Sequence, residues 1–200
     1  MRTDTDSEII RLARDSPVVF GELYDRHAAS VFRYAARRAG EFAADDVTGE
    51  TFLVAWERLG SYDLNHPDAR PWLFGIATNL LRRHHRTESR MLKSAAKAAL
   101  RDAVPDESER VASRTDAFVA TGKIAAALKA MPAIDRDTLL LYAWGDLTYE
   151  GIAEALEVPV GTVRSRLNRA RRTLRNDIGL LEFDDKEKKH GRVNTAPRNA

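Results

Sequence analysis

The 200-residue chain has no cysteine, which excludes disulfide frameworks, thiol nucleophiles and every cysteine-ligated zinc finger. Glycine (11) and proline (7) are sparse, and strand-like alternation of apolar and polar residues is not evident. No apolar run approaches the ~20 residues that a bilayer-crossing helix needs. The opening Met1-Arg-Thr-Asp-Thr-Asp-Ser lacks the apolar segment of a secretory signal. These absences lead us to expect a cytoplasmic protein with no membrane insertion. A phosphate-cradling glycine loop is also missing. The five histidines are His27, His66, His84, His85 and His190, and adjacent His84 and His85 should diverge by ~100° on a helix, unlike the i, i+4 pair of a zinc protease. No enzyme and no cofactor is therefore expected. The one metal reading left open is a magnesium ion on Asp45, Asp46 and Glu50, as in a nuclease.

What is present is a chain that should fold, 44% hydrophobic and 31% charged, with its charge unevenly spread. The net charge of +2 is built from blocks. Residues 1–69 carry −5, and 70–101 carry +7 with Glu88 the single acid. Residues 102–158 carry −6, 159–176 carry +6 with six arginines and no acid, and 177–200 are neutral. Two basic blocks set between acidic stretches are the pattern to explain.

Apolar spacing is helical wherever it is regular. Phe20, Leu23, Tyr24, His27, Val31 and Ala35 make one stripe, which Gly40 can stop. A second helix is expected after Ala44, with Asp45 and Asp46 near its positive end, running through Val47, Phe52, Ala55 and Trp56 to Leu59. Residues 60–68 read as a loop. Pro71 suits the first turn of a third helix, whose stripe is Leu73, Ile76, Ala77 and Leu80. Val104-Pro105-Asp106-Glu107-Ser108-Glu109 breaks any helix. Helical spacing returns with Thr121, Ile124, Ala125 and Leu128, and short helices follow around 135–143, 148–156 and 160–175. The expected fold is all-α: two small helical domains joined by a flexible linker, the C-terminal one containing a helix-turn-helix. The boundaries read as a flexible N-terminus over 1–15, a domain over 16–93, a linker over 94–115, a domain over 116–178 and a disordered tail over 179–200.

Residues 147–167 pack two helices around a turn of three or four residues, with Ile152, Ala153, Leu156, Val158, Val163 and Leu167 as shared core and Thr148 as N-cap. In such a motif the second helix lies in the major groove. With Val163, Leu167, Ala170 and Leu174 inward, the outward side chains are Thr162, Arg164, Ser165, Arg166, Asn168, Arg169, Arg171, Arg172 and Arg175. Arginine reads guanine and asparagine reads adenine bidentately, each worth ~1–3 kcal/mol of discrimination. An ordinary solvated face mixes signs, and this one holds no acid.

At Val158-Pro-Val-Gly-Thr-Val-Arg-Ser-Arg-Leu-Asn-Arg-Ala-Arg the chain resembles the C-terminal DNA-binding domain of extracytoplasmic-function (ECF) sigma factors, the smallest members of the sigma-70 family. Asp45-Asp-Val-Thr-Gly-Glu-Thr-Phe-Leu-Val-Ala-Trp resembles that family's polymerase-binding helix, and Arg70-Pro-Trp-Leu-Phe-Gly-Ile-Ala-Thr-Asn-Leu-Leu-Arg-Arg-His-His-Arg its promoter-melting helix. The resemblance spans about 16–178 in the family's order. It implies a promoter-specificity subunit of bacterial RNA polymerase, with minus-thirty-five base contacts at Arg164, Ser165 and Asn168, flanked by Thr162 and by phosphate contacts at Arg166, Arg169 and Arg172. Trp72, Asn79, Arg82, Arg83, His84 and Arg86 would meet the melted minus-ten element, since single strands are held by basic grooves and stacking surfaces. Trp72 reads equally well as core. Asp45, Asp46, Glu50, Phe52 and Trp56 would dock on the β′ clamp of core polymerase, the β subunit being a further contact, although Phe52 and Trp56 read as interface or as core. Partners implied are thus core polymerase and promoter DNA, double-stranded and melted, and many relatives are also held by an anti-sigma factor.

Three positions depart from the family's pattern. Glu157 stands in the turn where glycine is common, Gly49 lies inside the polymerase-binding helix, and Asn168 replaces an often aromatic or histidine position. The acidic linker residues Asp102, Asp106, Glu107 and Glu109 read as a solvated spacer or, by the resemblance, as a segment imitating nucleic acid in the polymerase channel. A stand-alone helix-turn-helix regulator is the nearer competing reading, and it leaves the basic block at 70–101 idle.

Overall fold

A computed structural model describes residues 5–102 and 116–178, with side chains placed for 5–91 and 122–176. Eight α-helices and no strand occur among the described residues. Helix α1 (Asp6–Ala13) lies within the stretch expected to be flexible. The Thr5 hydroxyl caps it by accepting from the Glu8 N–H, and Ile9, Ile10 and Ala13 are wholly buried. Asp6 anchors it from inside, accepting from His27 Nε2 at 2.8 Å, Arg26 at 3.2 Å and the Ala69 N–H at 2.9 Å. Burial opposes ionisation of this carboxyl. The hydrogen bonds from His27 and Ala69 and the nearby positive charge nevertheless hold it below the ordinary carboxylate range.

Helix α2 (Phe20–Ala39) buries Leu23, His27, Val31 and Ala35, as its stripe predicts, while Tyr24 stays partly exposed. Gly40, at φ +83°, ends it in a left-handed backbone that few side chains tolerate. Helix α3 (Glu41–Glu57) starts at once, so Asp45 and Asp46 fall in its second turn rather than at its positive end. Helix α4 (Arg70–Asp102) runs 33 residues, buries Leu73, Phe74, Ala77 and Leu81, and takes in 94–102 of the expected linker. Residues 103–115 and 179–200, with Asp106, Glu107, Glu109 and the expected tail, lie outside the described residues.

Helices α5 (Asp116–Ala130), α6 (Ala133–Trp144), α7 (Tyr149–Ala155) and α8 (Val160–Ile178) gather around Leu141, Ile152, Val163, Leu167 and Ala170. Thr148 caps α7 by accepting from the Gly151 N–H at 3.1 Å. The turn before α8 places Glu157 at φ +52° and returns the Val158 N–H to the Ala153 carbonyl at 2.9 Å. This closes α7 in the manner usually given to glycine, so the departure at Glu157 carries strain of ~1 kcal/mol or more.

The two groups of helices pack on each other along α4 and α7. A Cβ at Gly75 would lie 2.6 Å from the Ala155 carbonyl oxygen, so backbone meets backbone there. Beside that seam Asp137 of α6, fully buried, receives Arg82 Nε at 2.5 Å and a hydrogen-bonded ion pair from Arg38. Arg38 also donates to the Tyr34 hydroxyl at 2.6 Å, which shares a hydrogen bond with Thr78 at 2.9 Å. At the far end His66 Nδ1 meets Glu154 at 3.0 Å.

Candidate nucleic-acid interface

The surface of α8 follows from its packing. Val163, Leu167, Ala170 and Leu174 are buried, which turns Arg164, Ser165, Asn168, Arg169, Arg172 and Arg175 to solvent and leaves Thr162, Arg166 and Arg171 half-buried at the margins. Ser165 donates its hydroxyl proton to the Thr162 carbonyl at 2.9 Å, which presents the hydroxyl lone pairs outward. Arg169 is held bidentately by buried Asp135 of α6, at 3.0 and 2.8 Å. Arg171 lies over the Tyr142 ring at 5.3 Å and donates to the Tyr149 hydroxyl. Arg164, Arg166, Arg172 and Arg175 make no ion pair among the described residues. Over residues 160–176 the helix therefore offers a polar and cationic face with no acid on it, the chemistry that duplex DNA requires.

On α4 the structure brings Asn79, Arg82, Arg83 and Arg86 onto one stripe, with Trp72 on the same side of the helix two turns before Asn79. Trp72 is half-buried against Tyr62, ring centroids 4.9 Å apart, and stands about 21 Å along the axis from Arg86. The core reading of its ring is the one its contacts favour. Arg82 is committed to Asp137 and to the Asn79 side-chain oxygen at 3.3 Å, and Arg83 pairs with Glu50 of α3. Arg86 is exposed, as is Arg90 one turn further on, a residue missed by the sequence reading although it continues the same i, i+4 row.

His84 and His85 do not diverge as expected. Their rings meet edge to face at 6.1 Å, and both Nδ1 atoms approach the Glu88 carboxylate, at 3.4 and 3.6 Å. The ~100° argument fixes only where the side chains leave the helix, and their own torsions bring the ring tips back. His84, His85 and Glu88 are the one group among the described residues with ligand atoms close enough to hold a metal ion. Asp45, Asp46 and Glu50 do not form such a group among the described residues. The His85 imidazole is pushed down by burial, with Arg38 and Arg136 nearby adding to the effect.

Helix α3 presents a second surface. Phe42 (91% exposed), Asp45, Asp46, Gly49, Leu53 (56%) and Trp56 (37%) recur at helical spacing on one outward stripe. Phe52, readable from sequence as interface or as core, is core: it is buried, edge-on to Tyr24 at 4.8 Å and Phe20 at 6.3 Å. Phe42 and Leu53 take the place given to it. Glu50 sits beside the stripe but is occupied by Arg83. An open apolar row set with acids is a surface made for a basic and apolar partner.

Comparison with known proteins gives a consistent answer. Residues 23–91 match the family model described as Sigma-70 region 2, and residues 121–174 match Sigma-70, region 4. The chain is 34% identical over 157 residues to the ECF RNA polymerase sigma factor SigL of Mycobacterium tuberculosis, covering 76% of this chain and 85% of that protein. It is 31% identical over 171 residues to the RNA polymerase sigma factor NccH of Alcaligenes xylosoxydans xylosoxydans, covering 82% and 89%. Among solved structures, CnrH in complex with the cytosolic domain of CnrY superposes with a TM-score of 0.62 at 25% identity, covering 86% and 96%. The fold is also that of the sigma factor RpoE in complex with the anti-sigma factor NepR from Bartonella quintana, with a TM-score of 0.57 at 21% identity over 80% and 97% of the two chains.

Proposed function

Because the chain belongs to the ECF group of the sigma-70 family, we propose that its two arginine-bearing helices read one promoter at two places while α3 rides on core polymerase. The protein is a transcription initiation factor that binds core RNA polymerase and directs it to promoters. The assignment of residues to these tasks is ours. The exposed face of α8, with its four unpaired arginines, supports minus-thirty-five recognition. Arg164, Ser165 and Asn168 meet base edges, with Thr162 at their margin, and Arg166, Arg169 and Arg172 meet phosphates. On α4, Asn79, Arg82, Arg83, His84 and Arg86 hold the melted minus-ten strand, and Trp72 shapes the helix entry from the core side. Arg82 and Arg83 reach DNA only after leaving Asp137 and Glu50. Phe42, Asp45, Asp46, Leu53 and Trp56 dock on the β′ clamp, and the protein works in the cytoplasm, where that polymerase is. No residue is assigned a catalytic role. An anti-sigma factor is a further partner, since a solved relative is held by one.

A stand-alone regulator would leave the α3 stripe and the α4 row without a task. Run-off transcription with core polymerase and a promoter library tests the reading. Arg164→Ala should relax minus-thirty-five preference, whereas Arg172→Ala should weaken all templates alike and lower the salt slope by about 1. Absence of any defined start point with the wild-type chain would overturn it.

A further inference from the structure

Where the two groups of helices face each other above Asp137, they enclose a cleft of about 450 Å³. One wall is α2 and α4, bringing Arg38, Arg82, His85, Arg86 and Arg90; the other is the start of α6, bringing Arg136 beside Ala133 and Ile134. Five guanidinium groups thus converge, and the acids in reach are few. Asp137 is consumed by Arg38 and Arg82, and Glu88 lies against His84 and His85. Arg136 donates only to the neutral Leu128 carbonyl, at 3.4 Å. Neither Arg86 nor Arg90 has an acidic partner among the described residues.

The seam therefore sets Arg136 in the same cleft as the unpaired arginines of α4. Like charges gathered from two separate elements repel unless an anion lies between them. Guanidinium forks pair best with phosphate oxygens, two hydrogen bonds at a time. The volume is that of a small-molecule site, in the usual range of ~300–1,000 Å³. Ile134, partly exposed at the rim, offers an apolar ledge for a planar group.

We propose that this cleft binds a small oligophosphate, which bridges Arg86 and Arg90 of α4 to Arg136 of α6 and holds the two halves together. Bound there, the anion keeps Arg82 and Arg86 from promoter DNA and delays assembly with polymerase. That consequence rests on the reading above; the binding itself does not.

Isothermal titration of the full chain with inorganic tripolyphosphate, and separately with ATP without magnesium, tests the site against sodium sulfate at matched ionic strength. One saturable site is expected. Arg136→Ala and Arg90→Ala should each weaken it about tenfold or more, and Arg172→Ala on α8 should leave it unchanged. Tighter binding of ATP than of tripolyphosphate assigns a nucleotide, and equal binding assigns the phosphate chain alone; both support the cleft. No saturable binding, displacement by sulfate, or equal weakening by Arg172→Ala would overturn it, the last two marking an adventitious ion only. Native-gel assembly with core polymerase then tests the consequence. Tripolyphosphate should raise the amount of chain needed for wild type and not for Arg136→Ala, and equal behaviour of the two would overturn the regulatory step. Failure of promoter-directed transcription leaves the titration intact, so the two readings fail separately.

Discussion

Arginines crowd both α4 and α8, and the two sets are kept differently. On α8 four of them, Arg166 half-buried and Arg164, Arg172 and Arg175 exposed, have no acidic partner among the described residues. On α4, Arg82 and Arg83 are already engaged, one by a carboxylate of the other half of the molecule and one by α3. A surface for duplex DNA can stay open, because the duplex is always available. On the function proposed above, a melted strand would meet α4, where Arg82 and Arg83 are occupied by internal anions in this structure. The difference teaches that a basic block in sequence says where charge is, while the acids folded against it decide when that charge is usable.

The contrast breaks most directly at Asp137. Asp137→Ala strands two guanidiniums at a buried seam and should cost about 3–5 kcal/mol in urea denaturation. A loss under 1 kcal/mol would mean that Arg38 and Arg82 find other acids, and the distinction between the helices would dissolve. Asp6 is the same device within one half. Asp6→Asn should cost about 1.5–3 kcal/mol, the worth of a hydrogen bond to a charged group. Its carboxyl is depressed in the folded state, so its contribution is complete above the ordinary carboxylate range and fades as pH falls through the folded value. Acid titration of the melting temperature should therefore show a low-pH drop in wild type that is smaller in the variant.

On the α8 side the contrast is sharpened by competition binding of the holoenzyme. Arg164→Ala should lose about 1–3 kcal/mol of discrimination at one base step with stability unchanged, as befits a side chain with no internal task. The smallest effect falls on α3. Gly49 faces open space, so Gly49→Ala should stabilise the fold by about 0.5–1 kcal/mol. Fluorescence titration with core polymerase should show weaker docking for the same variant if the stripe is the interface.

The α8 face was legible in the sequence because everything that defines it is local: a capped short helix, a turn, and four apolar positions at helical spacing. The α4–α6 seam was not, since Arg38 and Asp137 are 99 residues apart and neither stands in a pattern. Helix α3 misled for a different reason. It is apolar on two sides, burying Val47, Phe52 and Ala55 while exposing Phe42, Leu53 and Trp56, so spacing alone gives Phe52 and Leu53 equal claim to the outside. Helix α1 was overlooked because eight residues make too short a stripe to stand out. What holds it is a cap, one buried carboxylate and three buried apolar side chains, Ile9, Ile10 and Ala13.

The bare backbone contact at Gly75 has its own implication. A single methyl there acts as a wedge, prising the halves apart without altering any charge. A Gly75→Ala chain should thus loosen the α4–α7 contact, and its melting temperature would report how much of the seam is held by shape rather than by electrostatics.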